Sequence, residues 1–269
     1  ELHAGVVTVD WESHGIQTND HALNREIILQ KTDYCSLLLS LSFGATVGRW
    51  DIRYATGERQ PPELPDPFDP LPVCPPGMLQ NAEGLPAEPK DVPADYPLRI
   101  SWPGILVDDE NHPEDIVARV REAIEVIWPG SAGSGSRAEA IEQEACEILG
   151  VKTLRDYFRR PAAFFADHLK RYSKSRRQAP IYWPLSTKTG SYTLWLYYHR
   201  LTDQTLHTCL ADFLDPKLRK VQSELDALTG SGGGGTRAGE LREFLDELHD
   251  LRDEIERVIK LPWKPNLND

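Results

Sequence analysis

The nine residues from Ser191 to His199 limit the possible folds of this chain more than any other stretch. Side chains alternate along a strand with period two, so Tyr192, Leu194, Leu196 and Tyr198 fall on one face and Thr193, Trp195, Tyr197 and His199 on the other. Both faces carry large aromatics. Such a strand is covered on both sides, or offers one side to a flat partner such as a base. Ile181 to Leu185 is similarly aromatic and β-branched, and Lys188-Thr189-Gly190 supplies a turn with glycine available for positive φ, so the two segments read as a β-hairpin. Just upstream lies a basic cluster, Lys170, Arg171, Lys174, Arg176 and Arg177, which ends at Pro180, where the residue before proline is pushed out of helical geometry.

Around the hairpin the patterning is mostly helical. Leu23 to Val47 reads as a helix broken near Thr32-Asp33, after a short strand at Gly5 to Trp11. The glycines of Phe43 to Gly48 end an apolar helical run, so they predict close packing and a C-cap, not a cofactor loop. Ile116, Val117, Val120, Ile124 and Ile127 form a buried stripe on a helix from Pro113 to Trp128, with Pro113 near its first position. Further helices are expected at Arg137 to Leu149, and at Leu154 to Leu169 with a break at Pro161. Asp203 to Leu228 and Arg237 to Lys260 carry facing leucine stripes and read as an antiparallel helical hairpin with an acid-rich outer face.

Arg59 to Pro103 holds well over half of the prolines and predicts a long surface loop anchored by Phe68, Leu71, Val73 and Met78. Leu98 to Val107 then reads as strand-like. Gly130 to Ser136 and Gly230 to Gly235 have flexible-linker compositions, either artificial joins or natural low-complexity loops. The fold class expected is α+β and predominantly helical, with a small β-hairpin centre, a proline-rich loop and a C-terminal helical hairpin. Three segments follow: an N-terminal α+β region at 1–128, a basic helical segment plus hairpin at 137–202, and the helical hairpin at 203–269.

Charge restricts the function. The net charge of −12 excludes a surface that is basic all over, so nucleic acid would have to use a local patch. Lys152 to Arg177 supplies one, with nine basic residues against two acidic. Cys35, Cys74, Cys146 and Cys209 are scattered without a CxxC pair or histidines at metal spacing, which predicts buried free thiols in a reducing cytoplasm and neither zinc nor disulfides. The acids from Asp108 to Glu110 are better explained by a helix start than by a metal. No apolar run is long enough to span a bilayer and no signal peptide precedes the first strand, so no membrane partner is expected. A start at Glu1 without methionine and a stop at Asp269 suggest a piece of something longer.

Gly48 to Arg53 (GRWDIR), Arg137 to Val151, Arg171 to Thr187 (RYSKSRRQAPIYWPLST), Gly190 to Thr202 (GSYTLWLYYHRLT) and Leu261 to Asp269 together resemble the C-terminal region of PglX-type adenine-specific DNA methyltransferases. These belong to phage-growth-limitation and BREX defence systems. The resemblance covers most of the chain from about Asp33 and implies an S-adenosylmethionine-dependent transfer of methyl to adenine N6 by the whole enzyme, with target recognition downstream of catalysis. The Asn/Asp-Pro-Pro-aromatic motif is missing: Cys74-Pro75-Pro76-Gly77 and Gln60-Pro61-Pro62-Glu63 have the prolines alone. Catalysis and cofactor binding by this chain by itself are therefore not expected.

Two functions follow from these readings. In the first the chain is a target-recognition module for double-stranded DNA, with Arg159, Arg160, Lys170, Arg171, Lys174, Arg176, Arg177 and Lys188 on phosphates and Tyr182, Trp183 or Trp195 stacking on a base. In the second it is an assembly module, docking its acidic helical hairpin and proline-rich belt on the catalytic methyltransferase domain or on other defence subunits.

Overall fold

The computed structural model describes residues 31–60, 63, 66, 68, 70, 72–130, 137–160, 162–173, 180–230 and 235–261. The expected strand at Gly5 to Trp11, the start of the first helix, Leu71 and most of the two glycine-serine stretches lie outside them.

A three-stranded antiparallel sheet forms the centre, in the order β1-β3-β2, with β1 at Ile105–Val107, β2 at Tyr182–Ser186 and β3 at Thr193–Tyr197. The turn between β2 and β3 uses Gly190 at φ 73°. Pro184, which has no N–H to donate, is tolerated because β2 is an edge strand. β3 is the middle strand, and all five of its residues are buried. Pairing of Leu106 with Trp195, and of Ile105 and Val107 with Leu196 and Leu194, sets the register of the third strand.

The alternation along β3 has a direct structural consequence. Trp195 and Tyr197 face a core built with Phe43, Tyr157, Phe158, Phe164 and Tyr182. Tyr192, Leu194 and Leu196 face a second core built with Phe213, Leu218, Val221, Leu241, Leu245 and Leu248. The sheet is thus sandwiched between two helical layers, each satisfying one set of aromatic or aliphatic side chains.

The first layer contains α1 (Lys31–Thr46), α3 (Ile116–Ile127), α4 (Arg137–Leu149), α5 (Leu154–Arg159) and α6 (Phe164–Tyr172), with the single-turn α2 at Arg53–Thr56. α1 ends where expected, at Gly48 with φ 71°. Gly44 is required by contact: a Cβ there would sit 2.4 Å from Trp50 Cδ1 and 3.0 Å from the Tyr182 hydroxyl. α3 starts later than its sequence suggests. Asp115, not the Pro113 region, is its N-cap, and the carboxylate accepts from the Ala118 N–H.

The second layer is the helical hairpin. α7 (Thr205–Thr208) continues through a π-helical turn at Cys209–Leu214 into α8 (Asp215–Gly230), which runs beside α9 (Thr236–Ile259). Its leucine stripes close against each other and against the sheet, so the hairpin is a wall of the second core. Val258 is an exception, left exposed at the end of its stripe.

The proline-rich stretch is a loop, but two of its expected anchors are corrected. Phe68 is 97% exposed and Val73 76%. Cys74, Leu79, Ala87, Leu98 and Ile100 anchor it instead. The four cysteines are buried free thiols. Among the described residues no group of side chains is arranged to hold a metal, and no helix is long and apolar enough to cross a membrane.

Candidate nucleic-acid interface

The basic segment enters the described structure on α5 and α6. Thr153 and Asp156 form a reciprocal capping box that starts α5, which fixes where the following arginines point. Arg155 turns inward. Its guanidinium bonds both carboxylate oxygens of Asp115, at 2.9 and 3.1 Å, and also reaches Asp108. The paired acids raise its pKa against the opposing effect of burial. Arg159 is also tied to Asp108, through Nε, while much of its side chain remains exposed. The acids at the start of α3 therefore act as a knot between α3 and α5, and Lys217 of α8 joins it through Asp109 at 2.9 Å.

Of the expected phosphate contacts, Arg159 is thus already committed to an internal carboxylate, and Arg171 pairs with Asp167 one turn back at 2.8 Å. Both guanidinium groups are thus paired within the chain. An i,i+4 pair at the surface is weak, and Arg171 can exchange it for a phosphate at little cost. Arg160 is different: it is exposed, donates to the Gly150 carbonyl at 3.0 Å, and has no ion pair among the described residues. With Lys152, Arg159 and Asp156 it lines a shallow cleft at the turn from α4 to α5. Lys170 is likewise exposed and unpaired among the described residues. Lys174, Arg176 and Arg177 lie outside the described residues.

Lys188 is exposed at the tip of the β-hairpin, away from this group. Its neighbours Thr189 and Ser191 hydrogen-bond Glu247 of α9, at 2.6 and 3.1 Å. Carboxylates dominate that end, where a cleft of about 500 Å³ is bordered by Glu224, Glu240, Glu243 and Glu247 together with Lys217, Lys220 and Arg237.

The aromatics expected to stack on a base separate cleanly. Tyr182 is fully buried, its ring 4.3 Å from that of Phe43 and 5.6 Å from that of Phe164, and burial raises the pKa of its hydroxyl. Trp195 is 3% exposed and meets Phe164 edge-on at 5.3 Å. Both belong to the core, which corrects the stacking assignment. Trp183 is exposed on the edge strand and keeps an open ring.

Two buried groups in this region were not singled out for a role by the sequence. His168 is sealed between the Ser40 hydroxyl and the Phe164 carbonyl, each 2.7 Å from a ring nitrogen, and burial pushes its pKa down to about 4. Arg49, in the Gly48 to Arg53 phrase, has its guanidinium carbon 4.5 Å from the Trp50 ring and 4.7 Å from the Tyr172 ring. Trp50 is its neighbour in sequence, but Tyr172 and Tyr182 come from more than a hundred residues away, and local patterning carries no trace of them.

No protein-family model matches the chain. Among curated proteins it is similar to the adenine-specific methyltransferase BrxX of Escherichia coli O9:H4 (strain HS), with 28% identity over 281 residues, covering 94% of this chain and 20% of that protein. The chain is similar to a BREX-like adenine methyltransferase region. It spans about a fifth of the methyltransferase it matches.

Proposed function

We propose that this chain is the DNA-binding, target-recognition part of an antiphage-defence adenine-specific DNA methyltransferase, and that methyl transfer is carried out elsewhere in the enzyme. The observation that carries this reading is the similarity along 94% of the chain to a fifth of a protein whose name specifies adenine methylation. Adenine in duplex DNA is the natural substrate of such an enzyme, and a segment without the Asn/Asp-Pro-Pro-aromatic motif is free to serve in holding it.

The distribution of charge indicates the side used. Lys152, Arg160 and Lys170 are exposed without carboxylate partners among the described residues, and they flank the segment that continues to Lys174, Arg176 and Arg177. Along α9 and its C-cap, Arg237, Arg252, Arg257 and Lys260 are each paired with Glu or Asp, and Arg242 alone of the basic residues there is exposed without an ion pair among the described residues. Phosphate contacts by the first group would position the module, and Trp183 offers a stacking surface at the edge of the sheet.

The test is fluorescence anisotropy on a labelled duplex across a salt series. Wild-type affinity should fall steeply as salt rises. Arg176→Glu with Arg177→Glu should lower affinity by about a hundredfold and flatten the logarithmic salt slope by about two. A double variant with wild-type circular dichroism and unchanged binding would overturn the assignment. Retention of another defence subunit at high salt, with no duplex binding by the wild type, would favour the assembly role instead.

A further inference from the structure

Arg49 is 6% exposed, yet no carboxylate among the described residues lies within ion-pair distance of it. The other deeply buried arginine is treated differently: Arg119, 1% exposed, meets Glu114 and Glu122 and donates to the Arg99 carbonyl. The acid nearest to Arg49 in sequence, Asp51, is already taken by Arg53 and Arg59, at 2.8 and 2.7 Å. Guanidinium stays protonated in proteins, so Arg49 keeps a full positive charge with no carboxylate beside it among the described residues.

Its surroundings are shaped for a flat cation. Trp50 and Tyr172 stack within 4.7 Å of the guanidinium carbon, and Nη1 donates to the Tyr182 hydroxyl at 3.2 Å. The remaining nitrogens, Nε and Nη2, have no acceptor among the described residues. They form one edge of the guanidinium fork, the edge that binds an oxyanion through two parallel hydrogen bonds. Tyr172 is the last residue of α6, so this edge sits at the root of the segment that carries Lys174, Arg176 and Arg177.

We propose that Arg49 is an oxyanion receptor, taking a phosphate-type group on Nε and Nη2 between the Trp50 and Tyr172 rings. The inference builds on the DNA reading by naming the phosphodiester as the group supplied in the complex, but the receptor's chemistry would accept free phosphate as well.

Two arms separate these sources. In the first, side-chain NMR of the wild type follows the arginine Nε–H signal that is lost in Arg49→Lys, while inorganic pyrophosphate is added. In the second, duplex binding is compared between wild type and Arg49→Lys across a salt series, with near-ultraviolet circular dichroism as the check on folding. The expected results are a saturable shift of the Arg49 signal, and duplex affinity reduced about tenfold because lysine cannot reproduce the two-pronged contact. A shift with pyrophosphate in a wild type that binds no duplex would keep the receptor and remove the DNA reading. Wild-type duplex binding matched by folded Arg49→Lys, with an Arg49 signal unmoved by pyrophosphate, would overturn the receptor and leave the DNA reading standing. If Arg49→Lys fails to fold, the wild-type signal, assigned through its contacts to Trp50 and Tyr172, decides.

Discussion

Asp115→Ala is expected to destabilise the protein by about 3–5 kcal/mol, the usual cost of removing one partner from a buried ion pair. Asp115 is 3% exposed and accepts four hydrogen bonds: from Asp109 N–H, from Ala118 N–H, and two from the Arg155 guanidinium. Alanine would remove the α3 cap, worth about 1 kcal/mol by itself. It would also leave Arg155 with Asp108, a carboxylate already shared with Arg159, and with the exposed Glu110 at 3.3 Å. Because the knot joins α3 to α5, its loss should also loosen the helix that presents Arg159 and Arg160. Urea unfolding measures the effect. Asp115→Asn, which keeps an oxygen for the cap but no charge, should fall between alanine and wild type. A loss below about 1 kcal/mol for alanine would mean that the paired geometry contributes little to the fold.

Phe164→Ala should cost a similar amount, about 3–5 kcal/mol, for a different reason. Phe164 is fully buried at the start of α6, and its ring lies 4.9 Å from Phe158, 5.1 Å from Phe43, 5.3 Å from Trp195 and 4.3 Å from His168. These neighbours come from α1, α5, α6 and β3, so no single element can move to fill the space left. Chemical denaturation gives the magnitude, and a red shift in tryptophan emission would report water reaching Trp195. Retained stability with unshifted emission would show that the first core closes around the gap.

What could be read from the sequence follows from the range of the interactions involved. The β-hairpin, the stripe of α3, the break at Pro161 and the two C-terminal helices are set by local periodicity and by proline, and these features are visible in short windows. β1 is Ile105, Leu106 and Val107, the last three residues of the strand-like stretch from Leu98, and without polar alternation the sequence marks neither its start nor its pairing with β3 across almost ninety positions. Phe68 and Val73 show the converse error, since hydrophobic character alone does not decide which residues of a loop turn inward: Val73 is exposed and its neighbour Cys74 buried.

The candidate site was legible in charge but not in partners. The excess of basic residues from Lys152 to Arg177 is plain in the sequence. That Arg155 and Arg159 spend that charge on Asp108 and Asp115, roughly fifty residues upstream, is a property of the folded chain. The same holds for the aromatics. A strand with rings on both faces is consistent with a stacking platform or with two cores, and burial of Tyr182 and Trp195 decides for the cores.

In the proposed function, duplex DNA meets the α5–α6 side of the molecule. Lysine acetylation footprinting, read by mass spectrometry with and without duplex DNA at low salt, tests it most directly. The account predicts protection of Lys152 and Lys170 that disappears as salt is raised, with unchanged labelling of Lys260 at the end of α9. Equal labelling of Lys152 and Lys170 with and without bound duplex, or protection confined to Lys217 and Lys220 of α8 and to Lys260, would contradict it.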